Sequence, residues 1–173
     1  MLLKINMYTK YFFSIVVAFV MLFTTNTLTA QKNTHSYAVM SQDILKLINK
    51  YRTDKGLKAL EMDEQIAKVA EKHSMDMATE KVPFGHDGFD ARMALLREKI
   101  KPVYGWAENV AYGQQTANDV VDSWLHSPAH KKNIEGDYNL SGIGIAKSAG
   151  GELYYTHIFI NKGAAKNTSS KKK

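Results

Sequence analysis

No cysteine occurs at any of the 173 positions, and this absence constrains the chain more than any other feature, because its start reads as an export leader. Lys4 and Lys10 make a positive n-region, and Phe12 to Phe23 is apolar apart from Ser14, too short a run for a comfortable bilayer span. Leu28-Thr29-Ala30-Gln31 offers a cleavage point after Ala30. The expectation is a signal peptide over 1–30, a linker over 31–40, and a secreted or periplasmic mature chain with no transmembrane span. A domain sent into an oxidising compartment without cysteine has no disulfide staple and must be held by packing alone. A thiol nucleophile, a Cys-ligated zinc and a lipidated-Cys anchor are excluded outright.

Charge points the same way once it is mapped. The chain carries 23 Lys+Arg against 17 Asp+Glu, a formal net charge of +6. Two of the lysines lie in the leader, and five (Lys162, Lys166, Lys171, Lys172, Lys173) lie in the last twelve residues. Residues 31–161 therefore hold 16 basic and 17 acidic groups, a net of −1. No basic face remains to track a phosphate backbone, so nucleic acid is not an expected partner. Residues 162–173 lack any aromatic or branched apolar side chain and read as a disordered basic tail. What lies between, about 130 residues, is enough for one domain with a sizeable core, expected to be monomeric.

Periodicity predicts helices first and strands last. Ile44, Leu45, Ile48 and Tyr51 recur at helical spacing within 36–53. Ile66, Val69, Ala70, His73 and Met77 form one stripe over 63–80, with Asp63 at the N-cap position. A third helix is predicted from Phe89 to Ile100, and a fourth begins at Thr116-Ala117-Asn118-Asp119. Ser127-Pro128 then suits an N-cap followed by proline at the first helical position. Leu140–Lys147 and Leu153–Ile160 read as strands joined by a hairpin at 148–151. The fold class that follows is α+β, a small antiparallel sheet covered by helices.

Three residues stand out chemically. His86 sits in the loop Phe84-Gly85-His86-Asp87-Gly88, and His130 follows the tight corner at Ser127-Pro128. Glu108 lies among apolar neighbours in Trp106-Ala107-Glu108-Asn109-Val110, where a buried carboxylate needs a partner such as an imidazole. Two histidines and one glutamate suffice for a zinc site with an open fourth position. They suffice equally for a metal-free acid/base pair, or they merely hydrogen-bond loops into place. His73, on an apolar stripe, reads as a core histidine. No His-Glu-x-x-His or Gly-x-Ser-x-Gly motif is present.

In order and spacing these residues resemble the CAP superfamily (cysteine-rich secretory proteins, antigen 5 and pathogenesis-related proteins), in its bacterial SCP-like form. The similarity runs from Ile48-Asn49 and Arg52 through Gly56-Leu57, His86 and Ala107-Glu108-Asn109-Val110. It continues through Trp124-x-x-Ser127-Pro128-x-His130-x-x-Asn133-Ile134 to Gly142-Ile143-Gly144 and Tyr155-Thr156-x-x-Phe159. The resemblance implies an α-β-α sandwich over residues 41–161 with a His/Glu cleft. His86 and Glu108 match the family's first His and Glu, His130 is the bacterial branch's addition, and Asn109, Trp124, Ser127 and Asn133 support them. The second glutamate of the eukaryotic pattern is Ser127 here, and its later histidine is Tyr154. His157 stands where glutamine is usual and reads as a strand residue facing Tyr155 and Phe159.

The expected function is a cleft that binds a small ligand or a divalent cation such as zinc without turnover, because a metalloenzyme using both histidines and Glu108 as ligands would have no carboxylate left to activate water. An extracellular hydrolase acting on peptide or cell-envelope material, with Glu108 as base, is the alternative. A protein-interaction scaffold is the third.

Overall fold

The computed structural model describes residues 36–163. The expected leader over 1–30, and the tail from 164 on, lie outside the described residues. Helix α1 covers 36–54, so residues 36–40 are helical where the sequence suggested the end of a linker. The order then runs β1 (Glu61–Met62), α2 (Glu64–Ala78), α3 (Phe89–Lys99), β2 (Val103–Tyr112), α4 (Ala117–His126), α5 (Pro128–Ile134), β3 (Leu140–Lys147) and β4 (Leu153–Lys162). Asp63 caps α2 by accepting from the amides of Gln65 and Ile66, and Thr116 caps α4 through the Asp119 amide. Pro128 opens α5, as its fixed φ favours.

Four strands form one sheet in the order β1-β3-β4-β2. β3 and β4 make the expected antiparallel hairpin, and β2 pairs antiparallel with the other side of β4. The two-residue β1 pairs parallel with β3, so the sheet is mixed rather than wholly antiparallel. Asn49 fixes that edge: its side-chain amide donates to the Leu60 carbonyl and accepts from the Leu60 amide. β4 runs two residues past the expected end, because Asn139 brackets the Lys162 backbone with two hydrogen bonds. Lys162 therefore belongs to the sheet and not to the tail.

Helices cover both faces, an α-β-α sandwich. On one, Ile66, Val69 and Ala70 of α2 and Met93 and Leu96 of α3 pack on Ile158 and Ile160. Alternation sends Tyr155, His157 and Phe159 to the opposite face, where the Trp124 ring of α4 meets His157. α2 lies almost directly on β3. A Cβ at Gly144 would stand 2.0 Å from the Glu71 amide nitrogen, and one at Gly142 would stand 2.2 Å from that of Ala67. On the α1 side, the buried Arg52 guanidinium donates to the carbonyls of Lys58, Ile134, Gly136 and Tyr138. One side chain thereby ties α1 to the turn after α5.

Candidate functional site

β2 is the strand that places the site. Glu108 and Asn109 are adjacent, so they point to opposite faces, and both are buried. Glu108 is paired in register with Ile158, which puts its carboxylate on the α2/α3 face. There it meets three basic side chains. Arg92 of α3 grips it with two hydrogen bonds, Nε to Oε2 at 2.9 Å and Nη2 to Oε1 at 2.7 Å. His86 Nδ1 lies 2.9 Å from Oε1. His73 Nε2 stands 4.0 Å from the same oxygen but makes its hydrogen bond, at 2.8 Å, to the Gly85 carbonyl.

Protonation follows from this network. An arginine-paired carboxylate is an acceptor, so His86 Nδ1 is the donor, and in the neutral ring Nε2 carries the lone pair. The Glu108 side chain is 1% exposed while that of His86 is 53% exposed. Carboxylate and guanidinium thus form a mostly buried frame, and the imidazole is what they present to solvent. Arg92 also donates to the Asp87 carbonyl, holding the His86 loop against α3. Burial lowers the His73 pKa below its ordinary value, helped by Arg92 and His86 and opposed by Gly85 and Glu108. The neutral His73 ring is therefore a contact of Glu108, not an ion pair.

On the other face of β2, Asn109 and Asn133 lock α5 to the strand. Asn109 donates to the His130 carbonyl at 3.1 Å, and Asn133 donates to Asn109 Oδ1 at 2.8 Å and to the Glu108 carbonyl at 3.2 Å. Trp124 is buried and donates to the Val110 carbonyl. Ser127 acts through its backbone, its amide donating to Trp124 and its carbonyl accepting from Lys131.

A cleft of about 300 Å³ opens over this arrangement, lined by His86, Phe89, Trp106, Ala107, Glu108 and Asn133. His130 is half-buried and does not line it, yet its imidazolium is disfavoured by burial and then by His86. His86 and Glu108 are therefore brought into contact as expected, and His130 stands nearby as an electrostatic neighbour. A larger groove of about 490 Å³ between α2 and α3 is lined by Arg92 and His73, so the ion pair lies between two cavities.

The three-ligand zinc reading does not fit these donors. Both Glu108 oxygens are engaged, by Arg92 on one and by Arg92 with His86 on the other. With three hydrogen bonds on a carboxylate that is 1% exposed, a metal could reach it only by disturbing these donors. Among the described residues, no group of three His, Asp or Glu side chains is arranged to hold a metal ion.

His157 takes a different position. It is fully buried on the opposite face, its ring 3.8 Å from that of Phe159 and 5.8 Å from that of Trp124, with neither nitrogen hydrogen-bonded. Arg92 is the site residue that the sequence reading missed. Its available signal was faint: one of two arginines on α3, the one set among apolar positions, sixteen residues from a buried glutamate.

A profile of the cysteine-rich secretory protein family, CAP, matches residues 45–159. The chain belongs to the CAP family. It is 31% identical over 140 residues to the uncharacterized protein YkwD of Bacillus subtilis, covering 80% of this chain and 52% of that one. It is 32% identical over 126 residues to the uncharacterized membrane protein YlbC of the same organism, covering 70% and 34%. The chain thus spans about half the length of one curated relative and a third of the other. Among solved structures, an extracellular protein containing an SCP domain from Bacillus anthracis aligns with TM-score 0.63 and 30% identity, over 72% of this chain and 41% of that one. An outer surface protein of Borrelia burgdorferi shares the fold at TM-score 0.59 and 21% identity, over 72% and 96%. This CAP domain has no helix among its described residues that is long and apolar enough to cross a membrane.

Proposed function

We propose that this is an exported CAP domain, released from its leader after Ala30, whose cleft binds a small polar ligand or a divalent cation without turnover. His86 Nε2 is the contact group, His130 the neighbouring imidazole, and Glu108 with Arg92 the frame that orients His86. One observation carries the reading: the carboxylate that a hydrolytic or zinc-ligand role would require is already spent on Arg92 and His86. What the site offers outward is an imidazole with a fixed tautomer.

Zinc serves as a probe of accessible imidazole. Titrated calorimetrically at neutral pH, it is expected to bind the mature chain, and to bind at least about tenfold more weakly after His86→Ala or His130→Ala. Binding that survives both substitutions overturns the assignment. The hydrolase alternative draws on one feature, because a carboxylate-oriented histidine with a free Nε2 has the form of a general base. In that case the base is His86, not Glu108. Peptide or peptidoglycan cleavage abolished by His86→Ala would favour it over binding alone.

A further inference from the structure

At the end of the sheet beyond Glu108, three aromatic rings pack on one another in the open. Tyr112 and Tyr154 are a cross-strand pair of β2 and β4, with ring centroids 5.6 Å apart and planes 22° apart. Phe84 leans on both, 4.8 Å from Tyr112 and 6.4 Å from Tyr154. Phe84 is 48% exposed and Tyr112 is 52% exposed. Burying them against each other leaves much of the cluster facing water, a cost that the core does not require.

The cluster is rigid. Two of its rings stand on paired strands. The third follows Pro83, and the next residue, Gly85, has φ 147° and its carbonyl fixed by His73. Fixed aromatic faces give contact area with little side-chain entropy left to lose on binding.

We infer that Phe84, Tyr112 and Tyr154 form a stacking platform for an uncharged oligosaccharide. The face of a pyranose presents C–H groups to the electron-rich face of an aromatic ring. Its rim presents hydroxyls that two tyrosine phenols can meet. None of the three side chains carries a charge, which suits a neutral sugar. Inserting the cluster into hydrocarbon instead would strip water from both phenols without replacing their hydrogen bonds. Position supports the same reading. Phe84 precedes His86 by two residues, and Tyr112 lies on the same strand and sheet face as Glu108. A chain of sugars bound on the rings could therefore run toward the cleft. The inference does not depend on the cleft's own ligand.

The test titrates the full chain with tetrasaccharides of glucose and of N-acetylglucosamine, read by tyrosine fluorescence and calorimetry. Saturable binding is expected, weakened about fivefold by Tyr112→Ala and by Phe84→Ala, since a stacked ring contributes on the order of 1 kcal/mol. Tyr112→Phe should stay within about threefold. Thermal melts confirm that each variant is folded. The platform is overturned if no tetrasaccharide binds, if both alanine variants bind as well as the parent, or if they lose binding to phosphatidylcholine vesicles while the sugars give no signal.

Discussion

Replacing Arg92 with methionine is expected to destabilise the domain by about 3–5 kcal/mol, the usual cost of leaving one member of a buried ion pair without its partner. The Arg92 side chain is 13% exposed and Glu108 only 1%, so water cannot take over the guanidinium's role. Arg92→Met strands a carboxylate with one remaining donor, His86. Adding Glu108→Gln to the same chain removes the stranded charge, and the double variant should recover at least half of the loss. Denaturant unfolding of the parent, both single variants and the double variant closes the cycle. Strictly additive losses would mean that the pair is not coupled and that Glu108 is held by something else.

The second large effect concerns acid. Burial, with Arg52 nearby, pushes the His157 pKa down from an ordinary 6.5 to about 3. Above pH 6.5 the ring is neutral in both folded and unfolded chains and adds no pH dependence. Between 6.5 and 3 the unfolded chain takes up a proton that the folded chain refuses, so stability falls by about 1.4 kcal/mol per pH unit. At about pH 4.5 the loss from this residue alone is roughly 3 kcal/mol. His157→Leu removes two buried nitrogens that have no hydrogen-bond partner, so at about pH 7.5 it should cost little. Its unfolding free energy should also drop less between those two pH values than that of the parent, by that same roughly 3 kcal/mol. Equal drops in parent and variant would move the acid sensitivity elsewhere.

How much of this was legible in the sequence depended on which signal each residue carried. α2 announced itself through a 3.6-residue stripe and an acidic cap, and β3–β4 through β-branched residues around a glycine turn. β2 did not, because its centre is Glu108-Asn109, two polar residues that look wrong for a buried strand. They are tolerated because each is satisfied on its own face, Glu108 by Arg92 and His86, Asn109 by Asn133 and the His130 carbonyl. Partner identity of that kind is a tertiary fact, which periodicity cannot supply. β1 was invisible for a different reason: two residues held in place by Asn49 and the backbone of 139–141 leave no pattern. The histidine–glutamate contact could be expected from spacing and resemblance. That an arginine had already claimed the carboxylate could not, and this changes Glu108 from a candidate ligand or base into the residue that aims His86.

The proposed cleft rests on His86 aimed in this way, and long-range proton–nitrogen NMR of the imidazoles at about pH 7.5 addresses it directly. His86 is expected in the Nδ1–H form, donating that proton to Glu108, with the lone pair on Nε2. An Nε2–H ring with a bare Nδ1 would contradict it.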